Sequence, residues 1–179
     1  MTDREAISPR VGFVGLGDMG ARIARRIVMA GYPLAVFDMR ADAIAEVVKV
    51  GATAAADVAG LADASDVVCI CVVDDDQVRN VIAQLSPRDG MVVVIHSSLL
   101  PETVRAVAVD LAPAGVHVVD APVSGSRPAA EDGTLSALVG GESKVVDTLR
   151  PLLASYCANV IHAGELGSGS LLKIANNVM

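Results

Sequence analysis

The chain has 179 residues, with 14 Lys+Arg against 21 Asp+Glu and a formal charge of −7; 53% of it is apolar and 2% aromatic. That length and apolar share exclude a disordered chain and suffice for one domain with a buried core. An acidic chain nearly devoid of aromatic rings lacks both the cationic footprint and the stacking surfaces of a nucleic-acid binder.

Strand-like and helix-like segments alternate from end to end. Residues 10–16 read as a strand apolar on both faces, and 18–30 as a helix. Met19, Ile23, Ile27 and Ala30 form one stripe of that helix, and Arg22, Arg25 and Arg26 cover much of the other face. Gly31 ends it. A strand at 34–38 and a helix at 41–50 follow, with Gly51 just past the helix end. Next come a weak strand at 53–55, a short helix from Asp57, and a strand at 66–72. The helix at 74–83 opens on three acids that complement its dipole. A strand at 91–95 leads to a helix at 101–112, with Pro101 in its first turn beside Glu102. Strands at 117–123 and 136–139, a helix at 142–153, a short strand at 160–162 and an apolar helix at 169–179 complete the series. Repeating β–α units with doubly apolar strands predict an α/β fold. Its sheet is doubly wound, mostly parallel and of Rossmann type, with helices on both faces.

Mean hydropathy is positive, at +0.53. The longest dense apolar runs, 67–73 and 91–95, are strand-sized and far below the ~20 residues that span a bilayer. The opening MTDREAISPR has no apolar core of a secretory signal, so a cytoplasmic protein with no membrane partner is expected. Cys69, Cys71 and Cys157 form no even disulfide framework and are expected to be small core residues in a reducing compartment. Cys69 and Cys71 alternate along a strand and so face the same side. His96, His117 and His162 have no metal-ligand spacing; no metal site is expected, and all three are read as structural or surface residues.

Three stretches carry chemistry. Gly15-Leu16-Gly17-Asp18-Met19-Gly20 is a G-x-G-x-x-G sequence between an apolar strand and an amphipathic helix, and Asp38 ends the second strand 18 residues after Gly20. In this context the first glycine makes the tight turn and the second admits a pyrophosphate. The third lets helix and strand pack closely, and the helix N-terminus faces the anion. A carboxylate at Asp38 accepts hydrogen bonds from the adenosine ribose of NAD and repels the 2′-phosphate of NADP, so NAD is the expected cofactor. Met39 and Arg40 flank that site, Arg40 as a solvated loop cation rather than a phosphate ligand.

The second stretch surrounds Lys173, one of three lysines, set in the apolar LLKIANNVM. Burial there lowers a lysine from ~10.4 toward the range of a general acid/base. Asn177, four residues on, projects from the same helix face and can hold a substrate oxygen or orient the ammonium. The alternative is a lysine snorkelling at a helix edge. Thirdly, Ser124-Gly125-Ser126 follows an apolar strand. A hydroxyl with successive backbone N–H groups suits a carboxylate, and a helix cap is the competing reading.

Gly12-Phe13-Val14-Gly15-Leu16-Gly17-Asp18-Met19-Gly20 resembles the N-terminal signature of the β-hydroxyacid dehydrogenase family. That family includes 3-hydroxyisobutyrate dehydrogenase, tartronate semialdehyde reductase and their 6-phosphogluconate dehydrogenase relatives. Asp120-Ala121-Pro122-Val123-Ser124-Gly125-Ser126, then Gly133-Thr134-Leu135 and Val139-Gly140-Gly141, is similar to the family's substrate-binding stretch. Gly167-Ser168-Gly169-Ser170-Leu171-Leu172-Lys173-Ile174-Ala175-Asn176-Asn177 is similar to its catalytic stretch.

The resemblance implies hydride transfer between a nicotinamide cofactor and a small 3-hydroxy acid. Lys173 is then the general acid/base, Asn177 orients the substrate, and Ser124, Gly125 and Ser126 hold its carboxylate. Val72, Val73, Ser97 and Ser98 line the nicotinamide ribose. It also implies that 1–166 form the dinucleotide-binding domain and that 167–179 begin a long inter-domain helix. That helix leads to an all-α domain which closes the site and makes most of a homo-oligomeric interface. Residues 1–179 alone are therefore expected to turn over substrate weakly or not at all. Ser126 stands where the family usually has glycine, Val73 where proline is common, Ile95 where an acid often lies and Leu100 where serine is common. None of these removes a proposed catalytic group. Two other classes remain: an imine reductase of related architecture, against which Lys173 argues, and a non-catalytic module that binds a dinucleotide or a protein.

Overall fold

The computed structural model describes residues 8–178. Six strands run parallel in its sheet: β1 (Val11–Val14), β2 (Leu34–Phe37), β3 (Thr53–Ala54), β4 (Val67–Ile70), β5 (Val92–Ile95) and β6 (His117–Asp120). Their spatial order is β3-β2-β1-β4-β5-β6. The chain winds outward one way from β1, then returns and winds the other way from β4. The switch point between β1 and β4 is where such folds take ligands.

Strand alternation divides the apolar side chains between two cores. Phe13, Cys69 and Val94 face one layer, closed by Ile23 and Ile27 of α1 (Gly20–Met29), Val47 of α2 (Ala41–Val48) and Leu149 of α7 (Ser143–Leu153). Val14, Ile70 and Ile95 face the other, closed by Leu61 of α3 (Val58–Asp63), Val78 of α4 (Asp75–Ala83) and Val104 of α5 (Pro101–Leu111). The doubly wound, mostly parallel α/β sheet expected from the alternating pattern is therefore present. Cys69 is buried and Cys71 packs half-buried against the same layer; all three cysteines are free thiols. Burial pushes the Cys71 and Cys157 thiols up to about 12, so neither is a ready nucleophile.

Several local expectations need correction. Ala30 is exposed past the end of α1, whose buried stripe is Gly20, Ile23, Ala24 and Ile27. The strand expected over 117–123 breaks at Ala121-Pro122, where proline has no N–H to give a ladder; β7 (Val123–Ser124) resumes beyond it. A short helix, α6 (Arg127–Asp132), follows. Next, β8 (Leu135–Gly140) lies antiparallel to β6 and β7 and so runs against the six parallel strands. The last strand is not three residues but eight: β9 (Cys157–Gly164) pairs parallel with β8. As an outer strand it is half exposed, so it lacks the apolar run that marks the central ones. α8 (Ser168–Val178) ends the described chain.

His96, just beyond β5, is buried. Its Nδ1 donates to the Ala121 carbonyl at 2.8 Å, and its Nε2 accepts from the Tyr156 hydroxyl at 3.1 Å. Phe13 stacks on the ring. Desolvation lowers its pKa to about 4 from 6.5, against the weaker opposing effect of the Ala121 bond. The unfolded chain therefore takes up this proton first. The associated stability is full above pH 6.5 and is lost as pH falls toward 4, with about 2 kcal/mol gone by pH 5. Denaturant melts at pH 7 and pH 5 measure it, and His96→Gln should flatten the difference.

Candidate active site

The glycine loop has a separate physical reason for each glycine. Gly15 has φ +93°, and a side chain there would collide with the Cys71 carbonyl of the neighbouring strand. A side chain on Gly20 would strike the Gly15 carbonyl, so glycine there lets α1 rest on the loop. A Cβ at Gly17 would meet nothing within 4 Å. That side of the loop opens into a groove, as a backbone meant to meet a ligand requires.

Asp38, at the end of β2, clasps this loop. Its Oδ2 accepts the Leu16 N–H at 2.6 Å and its Oδ1 the Arg40 N–H at 2.8 Å. Arg40 closes the clasp by donating from Nη2 to the Leu16 carbonyl at 3.1 Å. Arg40 is exposed, as expected of a loop cation, yet it also braces the loop. Beside the clasp lies a groove of about 750 Å³. Gly15, Gly17, Asp18, Asp38, Met39 and Arg40 line one side of it, and Val72 and Val73 the end beyond β4.

Other expected residues fall elsewhere. Leu16 contributes backbone, its side chain being buried in the core, and Met19 packs against that core. Ser98 is exposed and does not line the groove; its neighbour Ser97 turns inward. The Ser97 Oγ donates to the Val72 carbonyl at 2.8 Å and accepts the Val72 N–H at 2.9 Å, pinning the end of β4 to that of β5. Sequence reasoning missed a further part of the lining, made by Gln77, Asn80 and Val81 of α4 and by Gln84 just past its end. Their spacing, with three amides on one helical side, was the available signal.

The second cluster lies at the same carboxyl edge of the sheet. Ser124 ends β7, Gly125 takes φ +143°, and Ser126 precedes α6 in extended backbone without a side-chain cap bond. α8 is seated against this region by Asp120, a fully buried carboxylate at the end of β6. Asp120 accepts the Gly167 N–H at 2.8 Å and the Ser170 N–H at 2.6 Å, which ties the first turn of the helix to the sheet. Gly140 and Gly169 make the approach possible. A side chain on the first would strike the Asp120 carboxylate, and on the second the Leu138 carbonyl.

Lys173 follows one turn on, half-buried, with no hydrogen-bond or ion-pair partner among the described residues. Its partial burial lowers its pKa. Asn177 is exposed and makes no hydrogen bond there. Its neighbour Asn176, for which the sequence suggested no role, donates from Nδ2 to the Ser124 Oγ at 3.4 Å. This contact joins α8 to the loop at Ser124. Among the described residues no three His, Cys, Asp or Glu side chains gather as a metal site would need.

The family model for the NAD binding domain of 6-phosphogluconate dehydrogenase matches residues 10–164. An uncharacterized oxidoreductase of Mycobacterium tuberculosis is 40% identical over 177 residues, covering 96% of this chain and 60% of the relative. The NAD-dependent L-serine dehydrogenase of Pseudomonas aeruginosa is 34% identical over 178 residues, covering 94% and 58%. A solved structure of the 3-hydroxyisobutyrate dehydrogenase of Mycobacterium tuberculosis with L-serine superposes with a TM-score of 0.89 at 27% identity, covering 96% of this chain and 60% of that one. The chain thus spans about three fifths of the length of the relatives it matches. Because the nucleotide-binding domain is matched from β1 to β9, the chain belongs to the β-hydroxyacid dehydrogenase family, oxidoreductases that share the NAD-binding domain of 6-phosphogluconate dehydrogenase.

Proposed function

We propose that the chain supplies the nucleotide-binding domain and the catalytic helix of a dehydrogenase that oxidises a small 3-hydroxy acid reversibly. The observation that supports this reading is the seating of α8 by Asp120, which sets the helix that carries Lys173 against the Ser124 loop at the sheet edge. The bare Gly17 backbone at the start of α1 suits a dinucleotide diphosphate. When bound, the nicotinamide supplies the hydride acceptor.

The protein's own part is position and proton transfer. The neutral Lys173 amine accepts the substrate hydroxyl proton during oxidation, and its ammonium returns a proton to the carbonyl oxygen in reduction. The Ser124 hydroxyl and the N–H groups of Gly125 and Ser126 hold the substrate carboxylate, and Asn177 orients the reacting oxygen. A cytoplasmic setting accords with three free cysteines. Among the described residues no helix is long and apolar enough to cross a membrane. The decisive test is a screen of 3-hydroxy acids and cyclic imines with both cofactors, on a chain extended to the length of its relatives. Turnover of imines alone would overturn the reading.

NAD is the proposed cofactor. Asp38 is mostly buried at the groove wall, and a second anion beside it is disfavoured although Arg40 Nε lies 3.6 Å from its Oδ1. Titration should show tighter binding of NAD(H) than of NADP(H). Asp38→Asn, which removes the charge but turns an amide donor against one of the two N–H groups of the clasp, should narrow that gap. Preference of the unaltered protein for NADP(H) would make Arg40 the phosphate ligand instead.

A further inference from the structure

α6 follows directly on the Ser124-Gly125-Ser126 loop and rests against α1, the helix that follows the glycine loop. Its apolar anchorage is slight: Ala130 is its buried residue, and Ala129 packs partly on the core. Charge supplies the remaining ties. Arg127, the first residue of α6, donates from Nε to Asp18 Oδ2. Arg22 of α1 donates to Asp18 Oδ1 at 2.6 Å and to Glu131 of α6 at 2.8 Å. Asp18 therefore sits at the mouth of the glycine loop with two guanidinium groups drawn around it, the arrangement a phosphate would command.

Asp18 is an unexpected residue at that point. A carboxylate at the start of α1 suits the helix dipole while no ligand is bound. Beside a dinucleotide diphosphate it becomes a like charge. Gly17, Asp18, Arg22 and Arg127 also line one groove of about 560 Å³ on the flank of the loop. The side chain of Arg127 is 68% exposed and that of Asp18 47%. Ion pairs this open contribute little and exchange readily.

Resting on the dinucleotide reading above, we infer that Arg127 is a diphosphate ligand of the cofactor site that Asp18 holds in the free protein. Binding of the dinucleotide transfers the guanidinium from the carboxylate to the diphosphate. Because Arg127 adjoins Ser126, the same exchange draws the proposed carboxylate-binding loop toward the cofactor and couples the two sites reciprocally.

Calorimetric titration of NAD+ and NADP+ into the chain tests this with Arg127→Gln, Asp18→Asn and the double variant. Both substitutions lie on the surface, and melting curves check that they fold. Arg127→Gln should weaken both dinucleotides alike, by about fivefold, and reduce the salt dependence of binding. Asp18→Asn should tighten both, and that gain should shrink in the double variant, which keeps only the relief of like charge. Unchanged affinity in Arg127→Gln, or a full gain from Asp18→Asn in the double variant, would overturn the inference. Failure of the unaltered chain to bind either dinucleotide would instead remove the reading beneath it.

Discussion

In a chain extended to the length of its relatives, Lys173→Ala is expected to lower the rate of hydride transfer by roughly 10²–10⁴-fold, the usual worth of a positioned general acid/base. Dinucleotide affinity should hardly change, since Lys173 is not among the residues of β1, β2, β4, α4 and their loops that line the glycine groove. The sign of the pH effect follows from the role. In the proposed role oxidation needs the neutral amine, so its rate should rise with pH through a pKa below that of free lysine, because partial burial disfavours the ammonium. The alanine variant should lose that limb. Lys173→Arg should not rescue turnover, because a guanidinium stays protonated throughout this range. Near-normal turnover by the alanine variant would return Lys173 to the snorkelling lysine of the simplest sequence reading.

The second large effect is on stability. Asp120→Ala leaves the Gly167 and Ser170 N–H groups buried without an acceptor, at a cost of about 3 kcal/mol for the pair. Asp120→Asn keeps one acceptor and turns an amide donor against the other N–H, so it should rescue only in part. A carboxylate at the surface gives the contrast. Asp66 is held well below the usual range, chiefly by its hydrogen bond from the Arg10 guanidinium, yet it is partly exposed and paired also with Arg88. Asp66→Ala should cost at most about 1 kcal/mol. Urea melts of the three variants settle the order. Equal losses at Asp120 and Asp66 would show that burial of the α8 anchor contributes little.

The parallel half of the sheet was legible because β1, β4 and β5 are buried on both faces, and a strand of that kind leaves a continuous apolar run. The glycine loop was legible for a similar reason: Gly15 and Gly20 each answer a steric demand that a side chain would violate. The edge beyond β6 was harder to read. β9 is half exposed, β7 is two residues long, and α6 has a single buried residue, so none imposes a strong period on the sequence. The site shows the same division. Asp38 was expected to accept from a ribose; its bond from the Leu16 N–H depends on a contact across 22 residues that no local pattern records, while its bond from the Arg40 N–H spans only two. Asp120 looked like one letter of a motif, and its partners lie 47 and 50 residues away. The choice of Asn176 over Asn177 for Ser124 is a matter of about 100° around one helix.

The Asp38 clasp has a thermodynamic corollary. A glycine-rich loop free in solution would lose much conformational entropy on closing around a ligand. Here the Leu16 and Arg40 amides are bonded within the fold itself. Much of that ordering therefore belongs to folding rather than to association, and a dinucleotide meets a cradle already set. Leu16 and Arg40 should accordingly show slow amide hydrogen exchange before any ligand is added, slower than the neighbouring Gly17, whose backbone faces the open groove.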